Sequence, residues 1–322
     1  MSLGSDRTGR IAAGCAAMAT TAVLAASAGT GPAFASSGLE SAVGPIPRAT
    51  AALLPSDRKL WASYGLADTP DACKRGAISC VDTTINGMYQ RFNPLARACH
   101  HSAVFSLLYL RVTERYRIDA ATPGYFISAP TVNREDTDFA VLETKAFNRW
   151  YAGSSQSVPP VWRLAFAAAD AKKVTGSGDA FLGMVSHIKR DLPFALWRIA
   201  QGSHADHFKI NDMLKEVYPT ASVELARRFD PTMGPQENVP GMGETLVDAI
   251  ATWREQAWQD AHDLLTAADA TAFHAVAMRI ERAAWQSALT IYLAMPATAA
   301  QNTVRDDYCR NQQQTGAEPN VP

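Results

Sequence analysis

From about residue 97 to about residue 294, apolar side chains recur every three or four positions and almost nowhere alternate. A helix repeats every 3.6 residues and a strand every two, so this spacing commits most of the chain to helices with one buried face. Residues 97–117 place Val104, Phe105, Leu108 and Val112 on one stripe, and residues 136–151 do the same with Phe139, Leu142, Ala146, Phe147 and Trp150. Pro159 and Pro160 open a further helix through Trp162, Phe166 and Ala169, since proline fits a first turn. Ser177 or Asp179 can cap the next, which carries Leu182, Val185 and Ile188. Residues 244–266 and 271–294 repeat the pattern across a short link, which predicts an antiparallel helical hairpin. Only Tyr125-Phe126-Ile127-Ser128 has strand character. The expected fold class is all-α, a multi-helix, bundle-like single domain spanning residues 59–309. The longest non-helical stretches are expected near 118–135, 152–160 and 230–243; in the last, three prolines and three glycines forbid a helix, and 14 residues is long enough for a functional flap.

The first 35 residues read as a secretory signal peptide. Arg7 and Arg10 make a positive start, Ile11 to Ala28 carries no charge, and Ala33-Phe34-Ala35 is a small-x-small cleavage pattern. The alternative is a single membrane anchor, for which about 18 uncharged, alanine-rich residues are marginal. Cleavage leaves 287 residues beginning at Ser36, with 28 basic and 30 acidic side chains. That balance gives no electrostatic reason to expect nucleic acid or an anionic membrane as partner. No later stretch has about 18 apolar residues in a row, so no transmembrane span is expected in the mature chain. Residues 36–58 read as a flexible leader and 310–322 as a disordered tail. The expected location is secreted, extracellular.

Cys73, Cys80, Cys99 and Cys309 remain after cleavage, an even count that suggests two disulfides in an exported protein. Of three possible connectivities the preferred one joins Cys73 to Cys80 and Cys99 to Cys309. The second link closes a loop of about 210 residues, a constraint of roughly 4–5 kcal/mol in the chain-entropy account. A zinc site is the alternative, but no CxxC pair is present.

The groups that could carry chemistry are histidines and carboxylates. His187 and Asp191, at i and i+4 in an apolar helix, share one face. Three readings stand open. The pair could hold a metal ion, zinc or another divalent cation. It could do metal-free acid–base work, with Asp191 orienting His187. Or it could be structural: Pro193 would start a new helix at 192–200, with Asp191 as its N-cap accepting from the Phe194 amide. His204, Asp206 and His207 follow after a short link that could bring them beside His187 and complete a metal shell, with Asn211 on the His207 stripe. Ser203 or Asp206 could equally cap the helix that follows. His100, His101, His262 and His274 read as helix-start or solvated residues. The tryptophans read as core wedges, or as walls of a pocket for a lipid-like or aromatic ligand. GxSxG, phosphate-loop, dinucleotide and HExxH patterns are all absent.

The string GMVSHIKRDLPFAL at 183–196 resembles the GxxAHIxxDL run of an uncharacterised actinobacterial helical family, domain-of-unknown-function family 5995. Phe105-Ser-Leu-Leu-Tyr-Leu-Arg-Val-Thr113 resembles its FxxLYxxVT segment, Asp206 to Asn211 its DFxxIN segment, and Ala251 to Trp258 its Arg-x-x-Ala-Trp region. The resemblance spans about residues 100–290 and implies a helical domain without an established activity. His187, Asp191, Asp206 and Asn211 are the matching polar positions. Val185-Ser186 stands where the family has Asn-Ala, and His204 and His207 match no family histidine. A fainter likeness to zinc-dependent phospholipase C rests on the HxxxD pair after Leu182-Gly183; Trp197 stands where those enzymes have a further histidine.

Two functions from different classes follow. One is a metal-dependent hydrolase acting on a phosphoester or lipid-like substrate, with His187, Asp191, His204, Asp206 and His207 around the ion and His187 and Asp191 as catalytic residues. The other is a non-catalytic secreted protein binding a small apolar ligand or a protein partner, with His187 and Asp191 structural. Metal-free catalysis by the same pair is the third possibility.

Overall fold

The computed structural model describes residues 70–233 and 242–315, and most of them are helical. Helices α1 (Asp71–Lys74) and α2 (Ile78–Arg97) are joined at Gly76 and clipped by the Cys73–Cys80 disulfide. Gly76 has φ +73°, and a Cβ there would lie 1.8 Å from the Pro130 carbonyl oxygen, so this turn requires glycine. Then come α3 (Ala103–Ala121), α4 (Ala129–Tyr151), a 3-10 turn at Ser155–Ser157 and α5 (Pro160–Asp170). Helix α6 (Gly176–Met184), a π-helical segment (Val185–Asp191) and α7 (Leu192–Arg198) run on as one rod. The chain ends with α8 (His204–Arg228), α9 (Met242–Thr266), α10 (Ala270–Ala294) and α11 (Ala299–Gln314).

Helix α3 forms the axis because its first half is apolar on every face. Val104, Leu107 and Leu110 are fully buried, and Phe105, Leu108 and Tyr109 nearly so. A helix apolar all round must be covered on all sides, and α2, α4, α6 and α8 cover it. The closest approach is at Gly183 on α6, where a Cβ would sit 2.1 Å from the Phe105 ring. That contact sets the π segment, one turn later, against Phe105 and Tyr109. On its other sides the π segment meets α4, α5, α9 and α10, so it is enclosed by the described helices.

Helices α9 and α10 form the expected hairpin, tied by Arg279 to Asp260 (2.9 Å) and Asp263 (2.6 Å) and started by an Asp269 N-cap. Both preferred disulfides are present, and Cys99–Cys309 fastens α11 to the turn before α3. Among the described residues no helix is long and apolar enough to cross a membrane. The expected signal peptide, the expected leader and most of the 230–243 loop lie outside the described residues.

Several local expectations change. Tyr125 to Ser128 are turns, and among the described residues the only β pairing is the isolated bridge Val174–Pro296. Thr175, one turn earlier than expected, caps α6 by accepting from Gly178 N (3.2 Å). Asp179, offered as that cap, instead accepts from Arg305 (2.7 Å). The chain past 310 is helical through Gln314, docked by Gln313 against Ala96 and Cys99.

Replacing Cys99 and Cys309 together by serine is expected to lower stability by about 4 kcal/mol in urea unfolding. A loss below about 1 kcal/mol would show that α11 is held by packing alone.

Candidate functional site

Pro193 explains the local geometry around His187 and Asp191. In an unbroken α-helix its ring would clash with the carbonyl four residues back. The rod avoids this with a wide turn, in which the Leu192 amide donates to the His187 carbonyl, five residues back. Asp191 therefore does not cap a new helix: its side chain bonds no backbone amide of α7. Its carboxylate is fully buried and receives three side chains instead. Trp162 Nε1 donates to Oδ2 (2.8 Å), Arg190 Nη1 donates to Oδ1 (2.7 Å), and His187 Nδ1 lies 3.2 Å from Oδ2. Arg190 in turn donates to Glu281 on α10 (2.9 Å). A buried carboxylate needs this much pairing to stay ionised.

A carboxylate accepts, so this contact calls for the hydrogen on His187 Nδ1 and leaves Nε2 as the ring nitrogen without a partner. The ring is held flat against Phe139, with centroids 3.4 Å apart and planes within 5°. Tyr109 meets it edge-on at 4.4 Å. Nε2 is buried and has no protein partner.

His187 lines a cavity of about 100 Å³ between α3, α4, the π segment, α8 and α9. Leu108, Val132, Met184, Ile210, Met213 and Ile250 make much of its wall. Two more wall residues carry buried polar atoms without a protein partner, Tyr109 Oη and Asp136 Oδ2. Burial, then the nearby Asp136 and Glu143 charges, holds the Tyr109 hydroxyl well above its ordinary pKa. Burial, with the Glu135 charge adding, pushes Asp136 up to about 8. At neutral pH both are hydrogen-bond donors.

The remaining expected residues do not join this pair. Asp206 clamps the start of α4, accepting from Ile127 N (2.7 Å) and Ser128 N (2.9 Å). Ser203 is the cap of α8, accepting from the Asp206 amide. His207 is spent on Arg254: Nδ1 accepts from Nη2 (3.2 Å) and Nε2 donates to the backbone carbonyl (3.1 Å). Burial and the Arg254 charge lower its pKa. Asn211 accepts from Arg254 Nε (2.9 Å). His204 lies at the surface, 3.1 Å from Glu255. Among the described residues no three His, Cys, Asp or Glu side chains are grouped to hold a metal ion. Asp206, His207 and His204 are engaged elsewhere and His187 Nε2 is left alone, so the five residues make no common shell.

His101, expected at an exposed helix start, is buried in a second network. Arg305 donates to its Nδ1 (2.8 Å), and its Nε2 faces Asp306 (3.1 Å). Burial, then the Arg305 charge, lowers it to about 4.

A family model described as "Family of unknown function (DUF5995)" matches residues 81–294. The chain belongs to this family. No curated protein and no solved structure matches it, so the likeness to zinc-dependent phospholipase C gains no support. The DUF5995 match contains every residue of the cavity wall.

Tyr109, Asp136, Arg190 and Arg254 were not singled out from the sequence. Tyr109, Arg190 and Arg254 stood inside the segments that carry the family resemblance. Glu135 and Asp136 carried another signal: they lie on the apolar face of α4 with Val132 and Phe139, where a carboxylate needs a reason.

The raised Asp136 pKa has a consequence for stability. Between about 3.8, its ordinary value, and about 8 the folded state holds a proton that the unfolded chain has released. This contribution is complete below that window and drains away as pH rises through it. Asp136→Asn should therefore gain stability relative to wild type as pH rises from 5 to 9, read from urea midpoints. A wild-type–variant difference constant across that range contradicts the assignment.

Proposed function

We propose that the cavity is a binding site for a small, largely apolar molecule with one neutral polar group. The observation that carries this reading is that three residues lining one apolar cavity, His187, Tyr109 and Asp136, each hold a buried polar atom without a protein partner (Nε2, Oη and Oδ2). Each unpaired buried group costs about 1–3 kcal/mol, and a ligand that pairs them recovers that loss. Two donors and one acceptor suit a hydroxyl or carbonyl compound. A dry cavity of about 150 Å³ takes a benzene ring, so about 100 Å³ suits a slightly smaller ring or a short chain. Secretion fits the same picture: the two disulfides belong to an oxidising compartment.

Cyclopentanol and cyclopentanone are suitable probes. At ten times its Kd either should stabilise the wild type by about 1.4 kcal/mol. Met213→Trp, which fills the cavity, should fold and lose the effect. Stabilisation that is equal in the variant, or absent from the wild type with both probes, contradicts the reading.

A further inference from the structure

Four features of the cavity go beyond binding, and the first three are geometric. The His187–Asp191 contact puts the ring hydrogen on Nδ1, away from the unpartnered nitrogen. Trp162 and Arg190 hold the Asp191 carboxylate from both oxygens, so it cannot swing away from the ring. Phe139 and Tyr109 fix the plane of the imidazole. The wall carries two further groups with a hydrogen to donate, Tyr109 and Asp136, and neither is used by the protein fold at the atoms named above. A base held in one tautomer beside two oxygen-bound donors is the equipment for removing a proton next to a carbonyl.

We propose that the cavity catalyses proton transfer at carbon adjacent to the carbonyl of a small ketone or aldehyde, with His187 as the catalytic base. This rests on the binding reading above. The His187 Nε2 lone pair takes the proton from the α-carbon. The C–H electron pair becomes the C=C bond of an enolate, and the carbonyl π pair moves onto oxygen. Tyr109 and Asp136 stabilise that oxygen by hydrogen bonds, or hand it a proton to complete the enol. If the Nε2 proton is replaced from solvent before one returns to the same carbon, the result is exchange; its delivery to a conjugated position gives double-bond migration. No oxidant, reductant or second substrate enters the balance. Asp191 touches no substrate: it is a positioning residue that keeps Nε2 bare. The resident metal of a hydrolase is not needed for any step.

The test is exchange of the α-hydrogens of cyclopentanone in deuterated water, followed by proton NMR, with binding of cyclopentanone and cyclopentanol measured on the same samples. Wild type should exchange at least about a hundredfold faster than His187→Gln at matched occupancy. Tyr109→Phe removes an oxygen that bonds nothing in the protein, so it should fold, still bind the ketone, and exchange at least about tenfold more slowly. Asp191→Asn lets the ring proton move to Nε2, so it should lower the rate at saturating ketone while leaving the ketone's Kd unchanged. Wild type that binds cyclopentanone but exchanges it no faster than Tyr109→Phe overturns the catalytic inference and leaves the binding site standing. Binding of cyclopentanol without cyclopentanone does the same. Failure of both probes to bind overturns the binding reading and the inference with it.

Discussion

The structure depends on one buried charge. Asp191 is fully enclosed, and an isolated carboxylate there would be prohibitively costly. Its three partners come from different parts of the chain: Trp162 from α5, and Arg190 and His187 from the wide turn itself. Arg190 extends the network to Glu281 on α10. Packing around the rod therefore converges on one ion, and replacing any partner leaves another polar group stranded. Such an arrangement is rarely the most stable use of core volume, because an apolar replacement is often neutral or better. What it secures here is the orientation of one imidazole.

The same region accepts a second cost. His187 Nε2, Tyr109 Oη and Asp136 Oδ2 are buried without protein partners, on a wall otherwise made of aliphatic and aromatic side chains. A core built only for stability would have replaced them. The other buried histidines show the contrast. His101 and His207 each use both ring nitrogens, with an arginine donating to Nδ1. In both, the hydrogen sits on Nε2; in His187 it sits on Nδ1. Two histidines are fastened into the fold and one is left with a free end.

The helices were legible because their apolar period is local, and so was the hairpin, whose link is too short for any other pairing. His187 and Asp191 were recognisable as a pair from their spacing alone. Their relation to the backbone was not. Pro193 signalled that the helix could not run on regularly, but a new N-cap and a π turn both answer that signal, and the choice between them depended on Trp162, 29 residues earlier. Asp206 and His207 looked like candidate ligands because their actual partners, the amides of Ile127 and Ser128 and the side chain of Arg254, are 47 residues or more away in sequence. Residues past 310 looked disordered because they are polar; as far as Gln314 they continue a helix that Cys309 and Gln313 dock. Tyr109 and Asp136 were hidden by their neighbours, since a polar atom on an apolar stripe is visible only once the stripe is known to face a cavity.

The central claim is that His187 presents a bare Nε2 to the cavity. Long-range proton–nitrogen NMR of the histidine-labelled protein at neutral pH reports the tautomer of each ring directly, with His101 and His207 as internal controls. The account predicts hydrogen on Nδ1 of His187 and on Nε2 of the other two, and a shift of the His187 Nε2 signal alone when cyclopentanol is added. Hydrogen on His187 Nε2, or an Nε2 signal that ignores a bound alcohol, would contradict it.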